Sequence, residues 1–227
     1  AWLAMGWTLT LLMLWGPVAA SADGSVDLRV LEDTGSRIVL SYRFGDFKED
    51  PVTINGQSFV ELGMGREALL KRVGEPALPH VCRSVLIPDD ADMAVRVIES
   101  RYYDVPDVAV SPSKGFLLRS VDPDDVPYTF GDVYAVDAFY PGILADLRAP
   151  HILRDCRGVV VEVFPLQWNP VTRVLRVYTE VTIEVHQTGP GTVNVLERVP
   201  GRNPSRAFQQ MYPYHFVNYL QPDRYAP

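Results

Sequence analysis

The chain has 227 residues, 47% of them hydrophobic, with 21 Lys+Arg against 28 Asp+Glu and a formal net charge of −7. That apolar content supplies a sizeable core and excludes wholesale disorder, while the acidity counts against binding a nucleic-acid backbone, which needs a basic surface. Two cysteines and four histidines make neither a disulfide-dense scaffold nor a cysteine-rich zinc site. One domain of ordinary size, or two small ones, is expected.

No charged residue precedes Asp23. Residues 3–15 are apolar apart from Gly6, Thr8 and Thr10, and Gly16-Pro17 ends the run. It is too short to span a ~30 Å hydrocarbon core, and Ala20-Ser21-Ala22 has the small-residue pattern that signal peptidase accepts. Residues 1–22 are therefore expected to be a secretory leader cut between Ala22 and Asp23, with a cut after Ala20 as the alternative. The charged n-region is missing and the first residue is Ala, so a few residues are expected to be lost at the front. Export to the cell surface or medium, with no stable membrane span, follows from this reading. In an oxidising compartment a disulfide between Cys82 and Cys156 stays open.

From residue 23 the dominant period is two. Ile38, Leu40, Tyr42 and Phe44 alternate with Val39, Ser41 and Arg43, putting one apolar row on one face of a strand. Residues 52–54 and 57–60 flank Asn55-Gly56, the hairpin signature, because both central positions of a type I′ turn need positive φ. Residues 81–87 read as another strand, ended by Pro88-Asp89-Asp90; Met93, Val95 and Val97 alternate in the next, running on toward Tyr103. Four more follow at 151–156, 159–166, 171–178 and 181–186. Nineteen prolines and sixteen glycines punctuate these runs. Many short strands with turn residues between them predict an all-β, antiparallel sandwich or jelly roll over residues 23–202.

Two stretches depart from the pattern. Residues 111–139 carry Pro112, Pro123, Pro127 and the acidic cluster Asp122, Asp124, Asp125, and read as a long ordered excursion, the kind of loop that is functional when it occurs in a compact domain. Asn203-Pro204 then opens a short C-terminal helix with Asn as N-cap and Pro in the first turn. Phe208, Tyr212 and Phe216 share one of its faces, and Pro213 must kink or shorten it.

For catalysis the sequence is poor. His80 and Cys82 project from one strand face, but a Cys-His dyad needs an orienting group and an oxyanion hole, and neither is signalled. His151 and Cys156 have opposite parity. The carboxylate pairs Asp89-Asp90 and Asp124-Asp125 sit in turns, where they solvate loops or cap backbone N–H groups. With no phosphate loop and no metal-ligand spacing, the chain is expected to have no catalytic site, cofactor or metal of its own.

A family resemblance is carried by four segments: Ser111-Pro112-Ser113-Lys114-Gly115 leading to Arg119, Asp122-Pro123 and Val126-Pro127-Tyr128; Phe139-Tyr140-Pro141-Gly142; Ile152-Leu153-Arg154-Asp155 with Arg157-Gly158; and Pro165-Leu166-Gln167-Trp168-Asn169-Pro170 running on to Val181. Together these resemble the propeptide of gingipain-type cysteine endopeptidases, the Arg- and Lys-specific secreted proteases, over residues 27–227 and most strongly over 111–184. The resemblance implies a β-sandwich prodomain that helps its own downstream protease domain to fold and holds it latent. The catalytic His and Cys would belong to that later domain. It further implies an inhibitory loop containing Lys114, Gly115, Arg119 and Ser120, with Arg119 entering the primary specificity pocket and subject to slow cleavage behind it. Residues 203–224 would be the helix and linker, and cleavage between Arg224 and Tyr225 would leave Tyr225-Ala226-Pro227 to begin the mature enzyme. Cys82 and Cys156 match no motif position. The alternative is a secreted module binding sugar or a cell surface, which the fold alone equally permits; Trp168, outside the leader, would be its platform, but next to Asn169-Pro170 it reads as the staple of a hairpin turn.

Overall fold

The computed structural model describes residues 26–198 and 206–219. The expected leader with its Ala22-Asp23 cut, the expected Asn203-Pro204 helix start and the expected Arg224-Tyr225 cleavage point lie outside the described residues. In chain order these form β1 (Val26–Asp33), β2 (Arg37–Phe44), β3 (Lys48–Ile54), β4 (Gln57–Gly63), β5 (Ala68–Leu69), β6 (Pro79–Leu86), β7 (Ala91–Val105), β8 (Ala145–Leu147), β9 (His151–Leu153), β10 (Cys156–Val163), β11 (Leu166–Asn169), β12 (Val174–Pro190) and α1 (Arg206–His215).

Two antiparallel sheets face one another. In the first, β12 is the spine: β7 pairs along one edge, β2 and β11 share the other, and β1 pairs with β2. In the second, β10 lies between β6 and the short strands β8 and β9, with β5 outside β6. The expected row Ile38, Leu40, Tyr42, Phe44 is buried in the interface, against Val81 and Val85 of β6, Val159, Val161 and Val163 of β10, and Val181, Ile183 and Val185 of β12. Burial of such aliphatic side chains, at roughly 1.5–3 kcal/mol each, is the main favourable contribution to the sandwich. The fold is thus the antiparallel β-sandwich with a short C-terminal helix that alternation predicts.

Strand bounds differ in several places: the expected 159–166 run is split between β10, which ends at Val163, and β11, which starts at Leu166, and the expected 171–178 run starts only at Val174. Residues 151–156 do not form one strand, because Arg154 takes a left-handed conformation with φ 55° and turns the chain between β9 and β10. The expected break between 178 and 181 is instead a bulge in one 17-residue strand, β12, where the register to β7 shifts between Tyr178 and Glu180. The Asn55-Gly56 turn has φ 49° and 78°, as its type requires.

Helix α1 packs on the outer face of the second sheet. Tyr212 and Phe216 are buried there with Leu86 and Cys156, and Phe208 packs beside them. Gly158 is required by this contact, since a Cβ there would sit 2.4 Å from Phe216 Cε1 and 2.9 Å from the Val85 carbonyl. Pro213 lies in the last turn, so the helix ends at His215, and Asn218 locks the exit by accepting the Leu86 N–H at 2.7 Å. On β10 the guanidinium of Arg157, 1% exposed, donates to the carbonyls of Pro88, Ala91, Val193 and Asn194 at 2.6–2.9 Å. This ties the Pro88-to-Ala91 and Val193-Asn194 segments to the sheet.

Candidate functional site

The excursion between β7 and β8 leaves the sandwich through a well-bonded base. The Val60 N–H donates to Ala109 O at 2.8 Å and Val60 O accepts from the Ser111 N–H at 2.9 Å, extending β4 by one bridge. Ser113 exchanges bonds with Gly74 N–H and Glu75 O, and the returning limb is held by Gly131 N–H on Gly74 O. Trp168, only 2% exposed, donates its indole N–H to Val108 O at 2.8 Å, and both its backbone groups bond Tyr140. Phe59, Phe130, Tyr134 and Trp168 form a continuous row of ring contacts with centroids 4.9–5.3 Å apart. Tyr128 donates to Glu61 at 2.6 Å; burial, reinforced by that carboxylate, pushes its hydroxyl up to about 12, so it stays a donor. Trp168 therefore staples the excursion and offers no exposed platform for a sugar.

Beyond this base the loop opens into solvent. Val121 N–H bonds Leu118 O at 3.0 Å, a turn with Arg119 and Ser120 at its two central positions. Both are exposed, as are Phe116 (85%) and Leu118 (74%). Among the described residues Arg119 has no salt bridge; Asp122 instead accepts from the Asp124 N–H at 3.0 Å, capping the short 3-10 turn Pro123–Asp125. Lys114 behaves differently. Its ammonium donates to Pro123 O at 2.7 Å and sits 4.0 Å over the Tyr128 ring, closing the neck below the turn. Gly115 has φ 82°, and a Cβ there would meet Val73 Cγ2 at 2.6 Å. The four expected loop residues thus share one excursion, with Lys114 and Gly115 shaping its neck and Arg119 and Ser120 forming its tip.

The cysteines are both free, which corrects the open possibility of a Cys82–Cys156 bridge. Both lie on the outer face of the second sheet, but Cys82 is opposite Glu162 whereas Cys156 begins β10. At about 3.3 Å per residue they are roughly 20 Å apart along the sheet, far beyond the ~7 Å a disulfide spans. Around Cys82 the register assembles a cluster that no local spacing announces. The Glu162 carboxylate bonds His80 Nδ1, and Cys82 Sγ lies 3.8 Å from both. Arg148 completes it, 2.9 Å from Glu162 Oε1 and 3.6 Å from the sulfur. Burial and the Glu162 carboxylate push the Cys82 thiol up, the opposite of what an activated nucleophile needs. The only advance signal was parity: Glu162 is the lone acid in a valine run.

The family described as Propeptide_C25 matches residues 19–208. Gingipain R1 of Porphyromonas gingivalis is 40% identical over 158 residues, covering 70% of this chain and 16% of that protein; Lys-gingipain of the same species is 24% identical over 159 residues, covering 67% of this chain and 9% of its own. The chain thus spans between about a tenth and a fifth of the length of the curated relatives it matches. Among solved structures, the complex of P. gingivalis RgpB pro- and mature domains superposes with a TM-score of 0.77 at 33% identity, covering 85% of this chain and 97% of that one. The structure describing zymogenic latency of gingipain K gives 0.58 at 20% identity over 72% of this chain, a likeness of fold. With most of its length matched and its sandwich shared, the chain belongs to the C25 propeptide family, the propeptides of gingipain-type cysteine endopeptidases.

Proposed function

We propose that this chain is the prodomain of an exported precursor, and that it holds a downstream cysteine endopeptidase domain latent by presenting the turn at Arg119 to that domain's active-site cleft as a substrate mimic. The observation that carries this reading is the contrast within the excursion. Its neck is fixed by Lys114, Tyr128, Trp168 and backbone bonds, while the tip exposes Phe116, Leu118 and an arginine that has no salt bridge among the described residues. A cation held ready on a rigid neck loses little conformational entropy on docking, and a guanidinium pairs bidentately with a carboxylate in a pocket floor. A 33%-identical structural relative is a complex of pro- and mature domains, which supports the choice of partner.

In the same reading the sandwich assists folding of the protease. Cleavage between Arg224 and Tyr225 releases it, and a leader cut between Ala22 and Asp23 exports the precursor; cleavage after Arg119 would be slow because both limbs of the loop stay anchored. The test is inhibition of the endopeptidase domain by the separate prodomain, parent against Arg119→Ala. Equal inhibition by the two would remove the substrate-mimic mechanism.

A further inference from the structure

We propose that His80, Cys82 and Glu162 form a binding site for a borderline-soft divalent cation of the Zn2+ class, on the outer face of the second sheet and separate from the inhibitory excursion. His80 and Cys82 are two apart on β6, so they share a face, and the register puts Glu162 of β10 directly opposite Cys82. Donor atoms from a thiol, an imidazole and a carboxylate therefore converge from two paired strands rather than from loops, and lie within 4.8 Å of one another. The sulfur is 3.8 Å from both His80 Nδ1 and Glu162 Oε1. Tetrahedral zinc with one ligand of each kind needs separations of about 3.4 to 3.6 Å, so movements of a few tenths of an ångström in the sulfur contacts and a modest opening of the His80–Glu162 contact suffice.

His80 is 7% exposed and its ring packs on Phe164 at 6.1 Å, which fixes its orientation. The fourth position faces Arg148, whose side chain is 53% exposed. That guanidinium now occupies the cation's place, bonding Glu162 and approaching the sulfur. Binding then has a definite balance. The metal enters as a dication, the Cys82 S–H bond breaks with its proton leaving to solvent, the hydrogen shared between His80 Nδ1 and Glu162 leaves that contact so that His80 coordinates through Nδ1 as a neutral imidazole carrying its N–H at Nε2, and Arg148 swings outward. Affinity accordingly falls as pH falls. Water fills the fourth position, so the site is a three-ligand one.

The probe is Co2+ added alone to the purified, reduced full chain, followed by Zn2+ competition. The expected result is near-ultraviolet thiolate-to-cobalt charge-transfer absorption with one metal per chain, displaced by Zn2+. Cys82→Ser removes the band, Glu162→Gln weakens binding at least ~10-fold, and Cys156→Ser leaves the band intact. Arg148→Met should tighten binding, a gain that no merely structural role of Arg148 produces. The other imidazole pair, His151 and His215 with Nε2 atoms 3.3 Å apart, is the competing cation site, so His215→Asn must leave the band unchanged. Absence of the band in the parent chain overturns the proposal, as does its survival in Cys82→Ser or its loss in Cys156→Ser. Should Cys82→Ser fail to fold, the parent spectrum and the Cys156→Ser and Arg148→Met variants decide the matter without it.

Discussion

Replacing Arg119 by alanine separates inhibition from stability, because its side chain is exposed at the tip of the excursion. Among the described residues it has no salt bridge, and the turn it occupies is closed by the Leu118 and Val121 backbone. The variant should therefore melt like the parent, within the ±0.5 kcal/mol typical of an exposed substitution. In the complex, loss of a buried charge-assisted pair costs about 2 to 5 kcal/mol. That converts to an inhibition constant weaker by roughly 30-fold at the least. Arg119→Lys should fall between the two, since it keeps the charge and loses the fork. Lys114→Ala loosens the neck and should weaken inhibition by a smaller factor, around tenfold, through the entropy of ordering the loop. The assay is inhibition of the endopeptidase domain with a short peptide substrate, run alongside thermal denaturation of the same preparations. If Arg119→Ala inhibits as tightly as the parent while both are folded, the substrate-mimic reading fails and only a folding role survives.

Gly158→Ala should cost about 1–3 kcal/mol by overpacking against Phe216 and Val85, read as a lower melting temperature with hydrogen-exchange protection lost first in α1. Arg157→Met should cost about 3 kcal/mol or more, because buried carbonyls lose their donor; a melting temperature equal to the parent's would refute that account of the residue. Acidification should loosen α1. Burial and neighbouring His215 hold the His151 imidazole below its usual value, so the folded state binds fewer protons than the unfolded one. The stability is present above the unfolded value near ~6.5 and is lost as pH drops below it. Melting curves between pH 8 and 5 should show this slope, and His215→Ala should flatten it.

How much of this was readable beforehand follows from the range of each interaction. The Ile38-to-Phe44 row and the Asn55-Gly56 turn depend on neighbours in sequence, and both were legible. So was the excursion at 111–139, through its prolines. The turn at Arg154 was not, because an arginine in the left-handed region carries no glycine or asparagine signal. The continuity of β12 was hidden for a related reason: Thr179-Glu180 interrupts the apolar alternation, and only pairing with β7 reveals a bulge. Arg157 read as part of a motif without a role, since a buried guanidinium is understood only from carbonyls contributed by distant segments. The His80–Cys82–Glu162 cluster needed the β6–β10 register, a non-local quantity that alternation does not specify.

The segments that carry the resemblance divide by task once placed in the fold. Trp168 and Tyr140 hold the excursion's base, Gly158 admits Phe216, Arg157 ties down the Pro88-to-Ala91 and Val193-Asn194 segments, and Lys114 closes the neck. Each is constrained by a contact inside the chain. Phe116, Leu118, Arg119 and Ser120 are exposed at or near the tip, where contacts within the chain constrain them least. A prodomain that works as proposed needs this division, because the scaffold must keep one shape while the tip answers to a pocket on another domain. The motifs that identify the family are then mostly those of the scaffold. On the proposed reading, the residues that would set which protease is held are the few exposed ones at the tip, where a change costs the sandwich little.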